Sequence, residues 1–262
     1  MKRNKGEKKP KSKLRLTFTI IASVLLAAGL ALVLFPPVSN SYGKYVANTV
    51  ADNFDTRVKN IEKINSHKVD SKSIENDDEG IDYTKVDVDA LYKDSVAYNK
   101  NLQENQYSLL KGDYVFKKPA LSLSKYGIYD GVYGYVSIAA IDLKIPIYLG
   151  VQNNHMSYGA AHLTYTSLPI GNSSSNSVLA GHTGYVGRIF FDDIRQLKNG
   201  DIVKIVNYWG TIKYKVSGSK IIKPNQADDI FIEKDKTMLT LMTCISDGKG
   251  GFNRYLVFCE KN

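Results

Sequence analysis

The chain is poor in cysteine: 262 residues contain only Cys244 and Cys259. Two thiols allow at most one internal disulfide. A disulfide-dense secreted scaffold and a four-cysteine zinc site are therefore excluded. Basic charge is scarce once the N-terminus is set aside. Of the formal net charge of +9, residues 1–15 carry +7, from eight Lys/Arg and one Glu, and the rest of the chain only +2. The basicity is a terminal tail rather than a groove, which excludes a basic nucleic-acid binder. Internal repeats and low-complexity blocks are absent. Hydrophobic residues make up 43%, enough for a real core and too many for wholesale disorder.

Long apolar runs are also missing, with one exception. Leu16 to Phe35 reads LTFTIIASVLLAAGLALVLF, 20 residues without a charge. As a helix rising about 1.5 Å per residue it spans about 30 Å, the hydrocarbon thickness of a bilayer. A secretory signal has a shorter apolar core, about 7–15 residues. Pro36-Pro37 ends the run, and no A-x-A cleavage pattern follows. The run reads as a retained single-pass transmembrane anchor. The basic tail before it places the N-terminus in the cytoplasm and the remainder outside the cell.

Residues 39–66 carry Val46, Val50, Phe54, Val58, Ile61 and Ile64 at helical spacing. The polar stretch His67 to Asp82 reads as a linker, and a second helix is expected from about Val86 to Glu104, with Leu91, Tyr92, Ser95, Tyr98 and Leu102 on one face. From about Gly127 the pattern becomes one of short β-branched or aromatic runs. They begin at Tyr133, Ile145, Ser177, Ile202, Thr211, Met238 and Tyr255, and turns such as Asn199-Gly200-Asp201 and Asp247-Gly248 separate them. Such spacing predicts an all-β sandwich or barrel. One helix, Val186 to Leu197, is expected to interrupt it, with Phe190, Phe191, Ile194 and Leu197 on one side. The domains therefore read as 1–15 tail, 16–35 anchor, 36–126 helical and linker region, and 127–262 β-domain.

Three residues of the β-domain stand out as candidates for chemistry. His182 lies in LAGHTGY, Cys244 closes the strand TLMTC, and Arg254 opens the strand RYLVF after a Gly-rich turn. A catalytic cysteine needs thiolate character, exposure and a proton-handling partner. Histidine fits that partner because its unperturbed pKa, about 6.5, lies near working pH. Arginine supplies a permanent charge and a fork of donors for an oxyanion. His162, in GAAHL, reads as a scaffold residue, and His67 and His155 carry no signal. Asp247 could orient His182 or Arg254, or simply form the turn before Gly248.

LAGHTGY, TLMTC and Arg254 resemble the His, Cys and Arg signatures of sortases, the membrane-anchored cysteine transpeptidases of Gram-positive bacteria. GYVSIAAIDLKIPIYLG resembles the first strand pair of that family. GAAHLTYTSLPIG precedes the His motif as in class C, pilus-type sortases, and FFDDIRQLKNGDIVKI completes the order. The resemblance covers roughly residues 85–262 and the anchor. It implies a mainly β fold, a closed eight-stranded barrel with short helices, and His182, Cys244 and Arg254 as catalytic residues. It implies cleavage of an LPxTG-like sorting signal between Thr and Gly, with no cofactor and no metal. The acyl group would pass to an amine, from a pilin lysine or a cell-wall peptide, so the implied partners are surface or pilin proteins bearing sorting signals. A housekeeping anchoring enzyme is the alternative within the family. A tethered binding or scaffold domain without chemistry is the alternative outside it, and the intact Cys, His and Arg argue against that. The class C lid corresponds to Leu110–Ser124, which lacks the Asp-Pro-aromatic motif. The loop 245–253 lacks the Thr-Pro start of that class, and no second span follows.

Overall fold

The computed structural model describes residues 11–66, 82–110, 118–151, 155–187 and 190–261. Eight strands form its centre: β1 (Val132–Ile138), β2 (Leu143–Leu149), β3 (Ala160–His162), β4 (Ser175–Ala180), β5 (Ile202–Asn207), β6 (Gly210–Ile222), β7 (Thr237–Ser246) and β8 (Phe252–Lys261). They close into a barrel in the order β1-β2-β3-β4-β7-β8-β6-β5. Closure leaves no unpaired edge. The pairs β2–β3 and β4–β7 are parallel and the others antiparallel.

Alternation along the strands decides what fills the barrel. In β5, Val203 and Ile205 are buried while Lys204 is exposed; in β6, Tyr214 and Val216 are buried and alternate with exposed Lys213, Lys215 and Ser217. Leu239 and Leu241 of β7 and Val257 and Cys259 of β8 join the same core. Residues of the other parity lie on the outer face. There Leu163, Val178, Ile222, Ile230 and Leu256 form a second cluster, with Met242 and Phe258 packed on it. Each large aliphatic side chain buried in this way contributes about 1.5–3 kcal/mol.

Among the described residues three helices surround the barrel: α1 (Lys11–Asn65), α2 (Val88–Leu109) and the single turn α3 (His155–Tyr158). The apolar run of α1 is exposed throughout Leu16–Phe35, whereas Ala47, Ala51, Phe54 and Ile61 further along are buried. Phe54 packs edge-on against Tyr208, ring centroids 4.8 Å apart. The buried Arg57 grips Asp130 with two hydrogen bonds of 3.0 and 2.6 Å. Asp87 caps α2 by accepting the Ala90 N–H. Asn99 both donates to and accepts from the Leu168 backbone, and Gln106 does the same for Tyr165 and Ile232.

The structure differs from the sequence reading at several points. The apolar run and the helix expected at 39–66 are one continuous α1, with Pro36 and Pro37 inside it. Each proline removes an N–H donor and crowds the turn before it, yet the helix runs through both. The expected α2 face is displaced at Tyr92, which is exposed. β3 stands outside the seven apolar runs because three residues are too few to show alternation. The helix expected at Val186–Leu197 is not formed. Gly187 takes a positive φ of 79°, Val186 is exposed, and only Asp193–Gln196 winds into a 3₁₀ turn. Phe190, Phe191 and Ile194 are nevertheless buried, held by loop geometry rather than by a helix. The linker from His67 and the lid candidates Asp113, Tyr114 and Phe116 fall outside the described residues.

Candidate active site

The parallel pairing of β4 with β7 sets the site. Its last register pair is Ala180 with Met242. Gly181 then donates its N–H to the Met242 carbonyl at 3.0 Å and accepts the Thr243 hydroxyl at 2.9 Å. His182 and Cys244 therefore each follow directly after a bonded residue on adjacent strand ends. The loop beyond His182 is tied back by Phe191 N–H to the His182 carbonyl, 3.1 Å, and by Gly184 N–H to the Asp192 carboxylate, 2.8 Å. The imidazole packs against the Tyr185 ring, centroids 4.8 Å apart.

The antiparallel hairpin β7–β8 supplies the other two residues. Cys244 and Arg254 are register partners, and Arg254 Nη1 lies 3.4 Å from Cys244 Sγ. A permanent cation thus faces the atom that carries negative charge when the thiol ionises. Both strands run further than expected, to the pair Ser246–Phe252. Cys244 therefore does not close its strand and Arg254 does not open its own. The reason is the tight turn beyond them. Asp247 Oδ1 accepts the N–H groups of Lys249 and Gly251, and the Asp247 N–H donates to the Gly251 carbonyl. Those backbone donors hold the Asp247 carboxyl below the usual carboxylate range. Of its two readings, Asp247 takes the turn-forming one, which fixes the register of the hairpin.

Cys244 shares the outer face of β7 with Met242, where a groove of about 220 Å³ runs along the barrel wall. Its floor is Gly181, Thr243, Cys244 and Arg254, and its far wall is the β6–β7 connection at Pro224, Ala227 and Ile230. A mostly apolar slot beside one nucleophile and one cation suits an extended peptide with a reactive carbonyl. Pattern reading missed the far wall, because its residues act only through their position across from the hairpin.

The remaining candidates separate cleanly. Cys259 is fully buried in the barrel core opposite Leu239, five residues along the ladder from the Cys244 pair. Burial pushes its thiol up to about 12, and both cysteines are free. His162 is also fully buried, with Nε2 2.9 Å from the Ser167 carbonyl, and burial pushes it down to about 4. It is scaffold. His155 stacks on Tyr148 outside the groove. Among the described residues no three His, Cys, Asp or Glu side chains cluster as metal ligands would. Of the acidic residues around α2, Asp82 and Asp87 cap helical turns and Asp94 pairs with Lys125.

Comparison with known proteins shows the family to which this fold belongs. A family model described as the sortase domain matches residues 136–262. Sortase C from Clostridium perfringens SM101 has 30% identity, with coverage of 77% of this chain and 94% of that one and a TM-score of 0.54. A second structure, Clostridium perfringens sortase C with the C-terminal cell wall sorting motif, has 29% identity over 78% of this chain and 98% of that one, with a TM-score of 0.55. Among curated proteins, sortase A of Streptococcus agalactiae is 26% identical over 117 residues. That match covers 43% of this chain and 47% of the relative, so the chain spans about half the length of this curated relative.

Proposed function

The chain belongs to the sortase family, and from that premise we propose that it is a membrane-anchored cysteine transpeptidase with Cys244 as nucleophile. The observation that carries the reading is the Arg254 guanidinium, 3.4 Å from the Cys244 sulfur in a peptide-sized groove directly beside the His182 segment.

The reaction runs in two halves. The Cys244 thiolate attacks the carbonyl carbon of Thr in an LPxTG-like sorting signal, and the carbonyl oxygen becomes an oxyanion. Arg254 donates N–H groups to that oxyanion. The Thr–Gly C–N bond breaks as protonated His182 gives its proton to the departing Gly nitrogen, leaving a thioester on Cys244. An amine then attacks the thioester, His182 takes its proton, and the sulfur leaves as thiolate. The sorting-signal substrate is supported by the solved Clostridium perfringens relative bearing that motif. The class C resemblance of the sequence implies a pilin lysine as the amine, with a cell-wall peptide as the alternative.

The exposed apolar face of α1, 0% buried over its most hydrophobic window, supports the anchor. The basic tail supports a cytoplasmic N-terminus, which leaves the barrel, residues 127–262, outside the cell. The test is a transpeptidation assay with an LPxTG peptide and a lysine-containing acceptor. The expected products are a peptide cut after Thr and a new amide to the acceptor. Cleavage elsewhere, or none, overturns the reading.

A further inference from the structure

Helix α1 does more than join the apolar run to the barrel. Just beyond that run it touches the loop that follows His182. Asn40 Oδ1 accepts the Gly187 N–H at 2.6 Å. One helical turn on, Gly43 lies so close to Gly187 that an added Cβ would sit 2.0 Å from the Gly187 carbonyl oxygen. Ser39 closes the contact from below, its Oγ 2.7 Å from where a Cβ on Gly187 would fall. Ala47 continues the same helix face into the barrel core beside Phe190 and Phe191. Glycine inside a helix is unfavourable and gains nothing for α1 itself. Its use at position 43 is the close backbone approach to the loop.

The loop end held in this way bears Tyr185, whose ring packs on the His182 imidazole. The bonds from Gly184 and Phe191 tie the loop to itself, within residues 182–192. The Asn40 bond ties it to the helix that carries the apolar run. The contact lies five to eight residues past Phe35, about 8–12 Å along the helix axis.

We propose that Asn40 and Gly43 of α1 are positioning residues of the active site, holding the Tyr185-bearing loop so that the His182 imidazole keeps its working orientation. The inference rests on the reading of His182 as the proton carrier. It extends that reading by making the anchor helix a working part of the site. A displacement of about 1 Å at a reacting group is worth about a hundredfold in rate, so loss of this contact should register in turnover rather than in substrate binding.

The experiment uses the full chain in detergent micelles with four variants: Asn40→Ala, Asn40→Asp, Gly43→Ala and Gly43→Leu. Three quantities are measured: kcat and KM for transpeptidation, the pH–rate profile, and the titration of His182 by NMR of imidazole-labelled protein. Asn40→Ala should lower kcat at least about tenfold with KM unchanged and should displace the His182 titration. Asn40→Asp keeps an acceptor for the Gly187 N–H and should restore both. Gly43→Ala gains helix propensity, but its Cβ meets the Gly187 backbone and the loop must shift, so kcat should fall with KM unchanged, and Gly43→Leu should fall further. Wild-type kcat and an unmoved His182 titration in Asn40→Ala and Gly43→Ala would overturn the proposal. So would equal losses in Asn40→Ala and Asn40→Asp. A displaced His182 titration in a chain with no transpeptidase activity would uphold the contact and overturn the proposed function instead.

Discussion

Arg57 is the residue whose removal should cost the fold most. Its side chain is 1% exposed, and its partner Asp130, at the entry to β1, is 18% exposed. Burial alone would disfavour the charge, but Tyr208 and Asp130 outweigh it, and the guanidinium pKa is raised. Arg57→Ala removes two hydrogen bonds to Asp130 and a third, of 3.2 Å, to the Tyr208 hydroxyl. It leaves the carboxylate without its cation. Removing one partner of a buried pair costs about 3–5 kcal/mol. Asp130 retains the Val132 N–H and some solvent, which places the effect at the lower end, about 3 kcal/mol. For a chain of this size that is a fall of about 6–12 °C in Tm. The assay is thermal unfolding of the full chain in detergent, followed by circular dichroism. Arg57→Met with Asp130→Asn should recover at least half of the loss, because no uncompensated charge remains. A fall of less than about 2 °C for Arg57→Ala, near the 1 kcal/mol of an exposed pair, would refute the reasoning.

Three further outcomes are expected. Arg254→Lys should lower kcat/KM at least about a hundredfold while leaving Tm unchanged, since an ammonium cannot present two directed donors; near wild-type turnover would leave Arg254 only a charge role. Cys259→Ser should retain activity whereas Cys244→Ala abolishes it, and a thiol reagent should label the folded chain at Cys244 and spare the buried Cys259, as mass mapping would report. The fully buried His162, pushed down to about 4, binds its proton more weakly in the folded than in the unfolded chain. Its stabilising contribution is therefore present above about pH 6.5 and is lost as the pH falls from there toward 4, about 3 kcal/mol in all. His162→Gln should flatten the decline in Tm between pH 7 and pH 4.5, and an unchanged decline would assign acid loss to other groups.

The strands and the candidate site residues are legible because their signals are local. Alternation of Val203, Lys204 and Ile205 names a strand without knowledge of its neighbours, and a cysteine followed within ten residues by an arginine across a Gly-rich turn suggests a hairpin. The 186–197 segment shows how local signals mislead. Phe190, Ile194 and Leu197 have helical spacing, yet Gly187 in the left-handed region turns the chain away before a helix can start. What could not be read was pairing at long range. Arg57 looks like one more charge on a helix until Asp130, 73 residues later, is seen to meet it. Asn40 and Gly43 lie in an unremarkable stretch, and only the fold brings the loop after His182 against them.

The central claim is that Cys244 forms the acyl bond to a sorting signal. It is tested most directly by intact-mass and peptide-mapping analysis of the full chain after incubation with a thiol-reactive LPxTG-like peptide. The expected result is one adduct, located at Cys244, formed with the sorting sequence and not with a scrambled one, and slowed in Arg254→Ala. An adduct at Cys259, or equal labelling by the scrambled peptide, would contradict it.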